Sequence, residues 1–161
     1  RIGKKGAFAA AMGAAAVLSL FFFRLEPSEL GWLFALQALV SVAAGVVLPL
    51  LWSMYADIVD YEEYRSGRRP TGLIFSSSSM SQKLGWALGG AVTGWLLAAF
   101  GYDQSAAVQS GEAIAGVRLM MSWFPAAGCL LAAAAVLFYP LGEKRMERIT
   151  TELNLRRKTN E

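Results

Sequence analysis

The chain alternates long apolar runs with short charged punctuation. Four runs carry at most one charge each, at 7–23, 30–55, 71–100 and 119–139. A helix rises about 1.5 Å per residue and the hydrocarbon core of a bilayer is about 30 Å thick, so each run predicts a helix able to span. The first is the shortest. Apolar residues lie nearly all round these helices instead of on one stripe, which argues against a soluble bundle with charged outer faces. The predicted fold is an all-α membrane protein with four transmembrane helices in residues 1–140 and a tail over 141–161.

Polar residues inside the runs are spaced as helical stripes. In the second run Gln37, Ser41, Gly45, Leu48, Trp52 and Tyr55 recur three and four apart. Polar groups in hydrocarbon persist where they are paired or wet, so this stripe is either a cavity wall or a line of inter-helix hydrogen bonds. Pro49 lies within the same helix and removes one backbone donor, a feature of hinged and of static membrane helices alike.

The third run is the most informative. Pro70 suits a first helical position, where its missing N–H costs nothing. Gly72, Ser76, Ser79, Lys83, Trp86, Gly90 and Gly94 fall on one side of the predicted helix, and Ser78, Gly85 and Gly89 on the other. Lys83 stands about a dozen residues in, roughly 18 Å along the axis and near mid-bilayer, where a lysine costs about 2.5–3.5 kcal/mol. It therefore faces a wet cavity or an anionic partner. The Gly85/Gly89 pair has the GxxxG spacing that lets another helix approach closely.

Composition agrees with this picture, with 55% hydrophobic and 17% charged residues. The sign of the charges adds orientation. If the runs alternate in direction, one side receives Arg1, Lys4, Lys5, Arg65, Arg68, Arg69, Lys144, Arg145, Arg148, Arg156, Arg157 and Lys158, and the other only Arg24 and Arg118. The positive-inside rule then puts both termini and the central charged loop in the cytoplasm, in an inner (plasma) membrane. The net charge of +3 reports topology; no basic and aromatic platform suggests nucleic acid.

The shorter features read simply. The basic opening before an apolar run imitates a secretory signal, but three more runs follow and no cleavage site is bounded by polar sequence, so the chain is expected to be a fragment. Pro27 and Ser28 in the outer turn are a helix-starting combination. The outer loop 101–117 suggests no chemistry, and Trp123 reads as an interfacial anchor. Met146, Ile149 and Leu153 at helical spacing among basic residues predict a tail helix lying on the inner membrane surface, or else a frayed terminus.

Asp57, Asp60, Tyr61, Glu62, Glu63, Arg65, Gly67, Arg68 and Arg69 form the charged loop after the second run. With no histidine and a single cysteine, Cys129, in another run, the acidic residues give no convincing metal site and no cofactor is expected. Carboxylates mixed with guanidiniums at a helix boundary suit ion pairs made and broken between two conformations; the plainer alternative is a solvated turn. No catalytic constellation or phosphate loop occurs, so an enzyme is not predicted.

Three stretches then carry a resemblance: Asp57-Ile-Val-Asp60-Tyr61, Gly67-Arg68-Arg69 and Gln82-Lys83-Leu84-Gly85, with Tyr139-Pro140-Leu141 and Glu143-Lys144-Arg145-Met146 closing the chain. In order and spacing they resemble the glycoside-pentoside-hexuronide:cation symporters, the melibiose-permease-like branch of the major facilitator superfamily. The resemblance covers most of the chain. It implies that the four runs are helices 9 to 12 of a twelve-helix protein, part of its C-terminal bundle. It further implies that Lys83 serves sugar binding and coupling with Ser79 one turn earlier, and that Asp57, Asp60 and Arg69 belong to a cytoplasmic gating network. The family's sugar-stacking tryptophan aligns with Leu48 and not with Trp52. Its cation-coordinating carboxylates fall in helices outside the chain, so the resemblance leaves Na+ and H+ both open.

The resulting expectation is cation-coupled symport of a sugar by alternating access. Lys83, Ser79, Ser76, Trp86, Gln37 and Trp52 would face the sugar, and Asp57, Asp60, Tyr61, Arg68 and Arg69 would form the gate. The partners would be the sugar, the bilayer and the missing N-terminal helices. The alternative is an autonomous four-helix subunit that forms a pore or assembly.

Overall fold

The computed structural model describes residues 3–26 and 29–159. It contains five α-helices: α1 (Lys4–Phe21, continued by one 3-10 turn, Phe22–Arg24), α2 (Leu30–Ser66), α3 (Thr71–Ala99), α4 (Gly111–Leu137) and α5 (Glu143–Thr159). Arg1, and the helix start expected at Pro27 and Ser28, lie outside the described residues.

The second helix departs most from expectation. Its 37 residues run unbroken through Pro49 and continue about three turns beyond residue 55. The charged segment taken for a loop is therefore helical up to Ser66. Glu and Arg are good helix formers that need no apolar neighbour once the chain is out of hydrocarbon. Gly67 ends the helix by turning left-handed at φ 70°, which lets its N–H reach the Glu63 carbonyl at 2.9 Å. The turn that remains is only 67–70. Pro70 stands one position earlier than expected, immediately before α3, where its carbonyl accepts from the Ile74 N–H.

Among the described residues three helices are long and apolar enough to cross a membrane, namely Lys4–Arg24, Leu30–Ser66 and Gly111–Leu137. The 29-residue α3 has the length without the apolarity, because Ser76 to Ser79, Ser81, Gln82 and Lys83 dilute it. The fourth helix starts well before residue 119. Ser110 caps it by accepting the Ala113 N–H at 3.1 Å, and Glu112 suits the first turn, so Arg118 is helical.

Small residues set the packing. The first helix lies against α4 and α2 and buries Ala15, Ala16 and Ser19, while α4 buries Ala113, Gly116, Ser122 and Ala126. Such side chains let backbones approach closely where water does not drive association. Phe8 of α1, Val47 and Met54 of α2 and Val136 of α4 form the larger core cluster. A second cluster lies at the end of the bundle where α2 finishes. There Met146, Ile149 and Leu153 of α5, together with Leu141, pack on Ile58, Tyr61, Tyr64 and Tyr139. The apolar face expected to rest on a membrane surface is thus covered by protein.

Among the described residues the third helix meets its neighbours near its two ends, through Phe75 against Trp52 and through Phe100, just past its last residue, against Gly116. Every residue from Ser79 to Trp95 is exposed. The expected packing pair Gly85 and Gly89 meets no described neighbour.

Candidate functional site

The charged residues that α2 carries beyond its apolar length are drawn together by three other elements. Lys4, opening α1, donates to both oxygens of Asp57 at 2.8 and 2.7 Å, and the aspartate is 13% exposed. Lys5 donates to the carbonyls of Leu137 and Tyr139 at 2.5 and 3.3 Å, which caps the end of α4. One turn past Asp57, Asp60 faces Arg69 of the turn at 3.2 Å. That approach is misaligned, so the buried Asp60 Oδ1 has no hydrogen bond.

Glu63 is the hub of this cluster. Arg69 donates to its Oε2 at 2.7 Å, and Arg157 of α5 reaches both oxygens, at 3.0 and 2.7 Å from Nη2. Hydrogen bonding from Arg157 is the largest influence on the Glu63 carboxyl and, with the help of Arg69, holds it below its ordinary value against the opposing effect of burial. Two aromatic contacts flank the ion pairs. Arg145 lies 5.1 Å over the Tyr61 ring and Arg156 lies 5.0 Å over that of Tyr64.

Of the expected gate residues, Asp60 and Arg69 therefore come together, whereas Tyr61 lies under Arg145 of α5 and Asp57 pairs with Lys4 instead of with an arginine of the turn. Arg68 does not join. It is exposed and enters through its backbone N–H, which donates to Ser66 Oγ at 3.3 Å. Sequence reasoning missed Lys4, Arg145, Arg156 and Arg157 as partners and left Glu63 among the mixed charges without naming it in the gate. Opposite charge was visible at all of them, but their meeting depends on the docking of α5.

The expected sugar-facing residues are less gathered. Trp52 stacks on Phe75 with ring centroids 5.6 Å apart, and Tyr55 meets both rings edge-on at 6.3 and 6.2 Å. This aromatic set joins α2 to α3 close to the charged cluster. Gln37 donates to Ser41 on its own helix at 3.4 Å, and the Ser76 hydroxyl donates to the Leu73 carbonyl at 3.2 Å. Ser76, Ser79, Lys83 and Trp86 remain exposed along one stripe of α3, and Lys83 has no hydrogen bond or ion pair among the described residues.

Long apolar helices, a polar stripe with one lysine and an ion-paired end together define a multi-pass membrane protein of the transporter class. The family model described as MFS/sugar transport protein matches residues 1–143, and the chain belongs to that family of transporters, which are not enzymes. It is 36% identical over 95% of its length to "Putative glycoside/cation symporter YagG" of Escherichia coli (strain K12), covering 33% of that protein. To "Glucuronide carrier protein homolog" of the same strain it is 34% identical over its whole length, covering 35% of that protein. A third relative, "Isoprimeverose transporter" of Lactiplantibacillus pentosus, is 43% identical over 61% of the chain, which covers 20% of the relative. The chain thus spans about a third or less of these curated relatives. No solved structure matches it.

Proposed function

We propose that the chain is the last third of a cation-coupled sugar symporter that works by alternating access, with α1 to α4 standing as helices 9 to 12 of twelve. The family match over residues 1–143 carries this reading. Relatives named for a glycoside, a glucuronide and isoprimeverose point to a glycoside, pentoside or hexuronide as the solute. The exposed stripe of Ser76, Ser79, Lys83 and Trp86 on α3 is where the sugar would bind, across from Gln37 and Trp52 on α2. An ammonium can donate three hydrogen bonds to sugar hydroxyls or pair with a uronate carboxylate, and an indole face suits stacking on the sugar ring. The coupling ion, Na+ or H+, would be held by helices that precede this chain.

In this reading the cluster of Asp57, Asp60, Tyr61, Glu63 and Arg69 is the cytoplasmic gate. Ion pairs between separate elements are bistable, so a gate built from them closes when they form and opens when they part. Both ends of the chain lie in the cytoplasm, as the distribution of Lys and Arg favours.

The test is uptake into proteoliposomes by the full-length protein, with a panel of glycosides, pentosides and hexuronides under a Na+ or a proton gradient. Gradient-driven accumulation of at least one sugar is expected, with Lys83→Ala lowering it tenfold or more. No accumulation under either gradient would sink the transport reading. Unchanged uptake and coupling in Lys83→Ala would remove Lys83 from the site.

A further inference from the structure

The family model stops at residue 143, where α5 begins, and by itself gives that helix no task. Its geometry does. The helix is held to α2 by an apolar face and by three arginine contacts, and one of these, Arg157, shares its carboxylate with the turn that links α2 to α3. Glu63 is bound on one side by Arg69 at 2.7 Å and on the other by Arg157 at 2.7 Å. Asp60 acts on Arg157 as well, so two carboxylates and two guanidiniums form a single electrostatic unit.

We propose that α5 is a working part of the cytoplasmic gate, with Arg157 as the positioning residue that fixes Glu63 and, through it, Arg69 and the α2–α3 turn in the closed arrangement. A carboxylate with two guanidinium partners is oriented by both. If Arg157 is removed, Glu63 is left with Arg69 alone, and the half-exposed Arg69 gains freedom to leave Asp60. The turn carries Pro70 and leads directly into the stripe with Ser76, Ser79 and Lys83, so a shift there reaches the sugar-binding helix. Undocking or docking of α5 would therefore bias which side of the transporter is open, because a two-state element responds to any contact present in one state alone.

This inference rests on the symporter reading, and the experiment separates the two. Full-length protein lacking native cysteines and carrying Ser76→Cys is placed in inside-out vesicles for labelling by an impermeant maleimide, and gradient-driven uptake is measured in proteoliposomes on the full-length protein with Ser76 intact. Arg157→Glu is expected to raise labelling at position 76 at least threefold and to lower uptake. Arg157→Lys, which keeps a cation beside Glu63 without disturbing Arg69, is expected to keep both readouts closer to the starting protein than Arg157→Gln does. Arg157→Gln runs in parallel and decides the matter should the charge reversal fail to fold. Labelling that stays unchanged in Arg157→Glu and Arg157→Gln, or an Arg157→Lys variant no closer to the starting protein than Arg157→Gln, overturns the role of α5. A protein with Ser76 and Arg157 intact that accumulates no sugar sinks the symporter reading instead, whatever the labelling shows.

Discussion

Lys4 and Asp57 lie 53 positions apart in the chain, yet the Lys4 ammonium sits 2.8 and 2.7 Å from the two Asp57 oxygens and ties the start of α1 to α2. Asp57 is 13% exposed and Lys4 36%, so the carboxylate is the partner that suffers when the pair is broken. Lys4→Ala should cost about 1–3 kcal/mol, because it strands a partly buried charge. Lys4→Ala combined with Asp57→Asn should recover part of that loss. Thermal unfolding midpoints of the full-length protein in detergent would check this, and a double variant less stable than Lys4→Ala would contradict it.

The long helices were legible because apolar runs report burial in lipid directly, and the stripes on α2 and α3 followed from spacing alone. The extension of α2 through Glu62 and Glu63 was not. Its residues are charged, and hydropathy cannot separate a loop from a helix that has left the membrane. The docking of α5 was half legible: Met146, Ile149 and Leu153 announced an apolar face, but the same face suits a bilayer surface and the flank of α2 equally. Arg157 could not be paired with Glu63 before that docking was known, since the two are 94 positions apart and local patterning says nothing at that range. Charge alone could not separate Arg68 from Arg69 either, and among the described residues it is Arg69 whose side chain pairs with Asp60 and Glu63.

Glu63 gives the tail a pH dependence of definite sign. Its carboxyl is held below the ordinary 4.5 by Arg157 and Arg69, with Asp60 one turn earlier as the nearby like charge. The ionic attachment is therefore fully present above that value and is lost only as pH falls through the lower folded value. The distance between spin labels at exposed Thr151 and Ser66 should stay narrow from neutral pH down to the ordinary carboxylate range and broaden below it. Glu63→Gln should start broader and remain flat over the same acid range. If Glu63→Gln retains the acid transition, another group controls it.

Gly67 is the single residue that converts the end of α2 into a turn. Its φ of 70° is left-handed, and a Cβ added there would meet no atom within 4 Å, so any penalty comes from the backbone alone. Gly67→Ala should cost roughly 1–2 kcal/mol, and Gly67→Asn clearly less, since asparagine tolerates that conformation. Unfolding of the purified full-length protein would measure both. Equal losses for Ala and Asn would point to a steric cause that the open surroundings do not offer.

Ile149 decides between the two surfaces that could cover the tail. It is 5% exposed and packed with Leu141, Met146 and Leu153 against α2. Removing a buried isoleucine side chain costs about 2–5 kcal/mol, which is comparable to what one short helix gains by docking. Ile149→Asp, which also buries a charge, should release α5 entirely. Hydrogen exchange over residues 143–159 would then become fast while the apolar part of α2 stays protected. The starting protein should protect α5 to the same degree in detergent micelles and in lipid nanodiscs, because the covering surface is protein. Protection that appears only in lipid would show that the apolar face of α5 rests on the bilayer, and the contacts from Arg145, Arg156 and Arg157 to α2 would then lose the docking that brings them there.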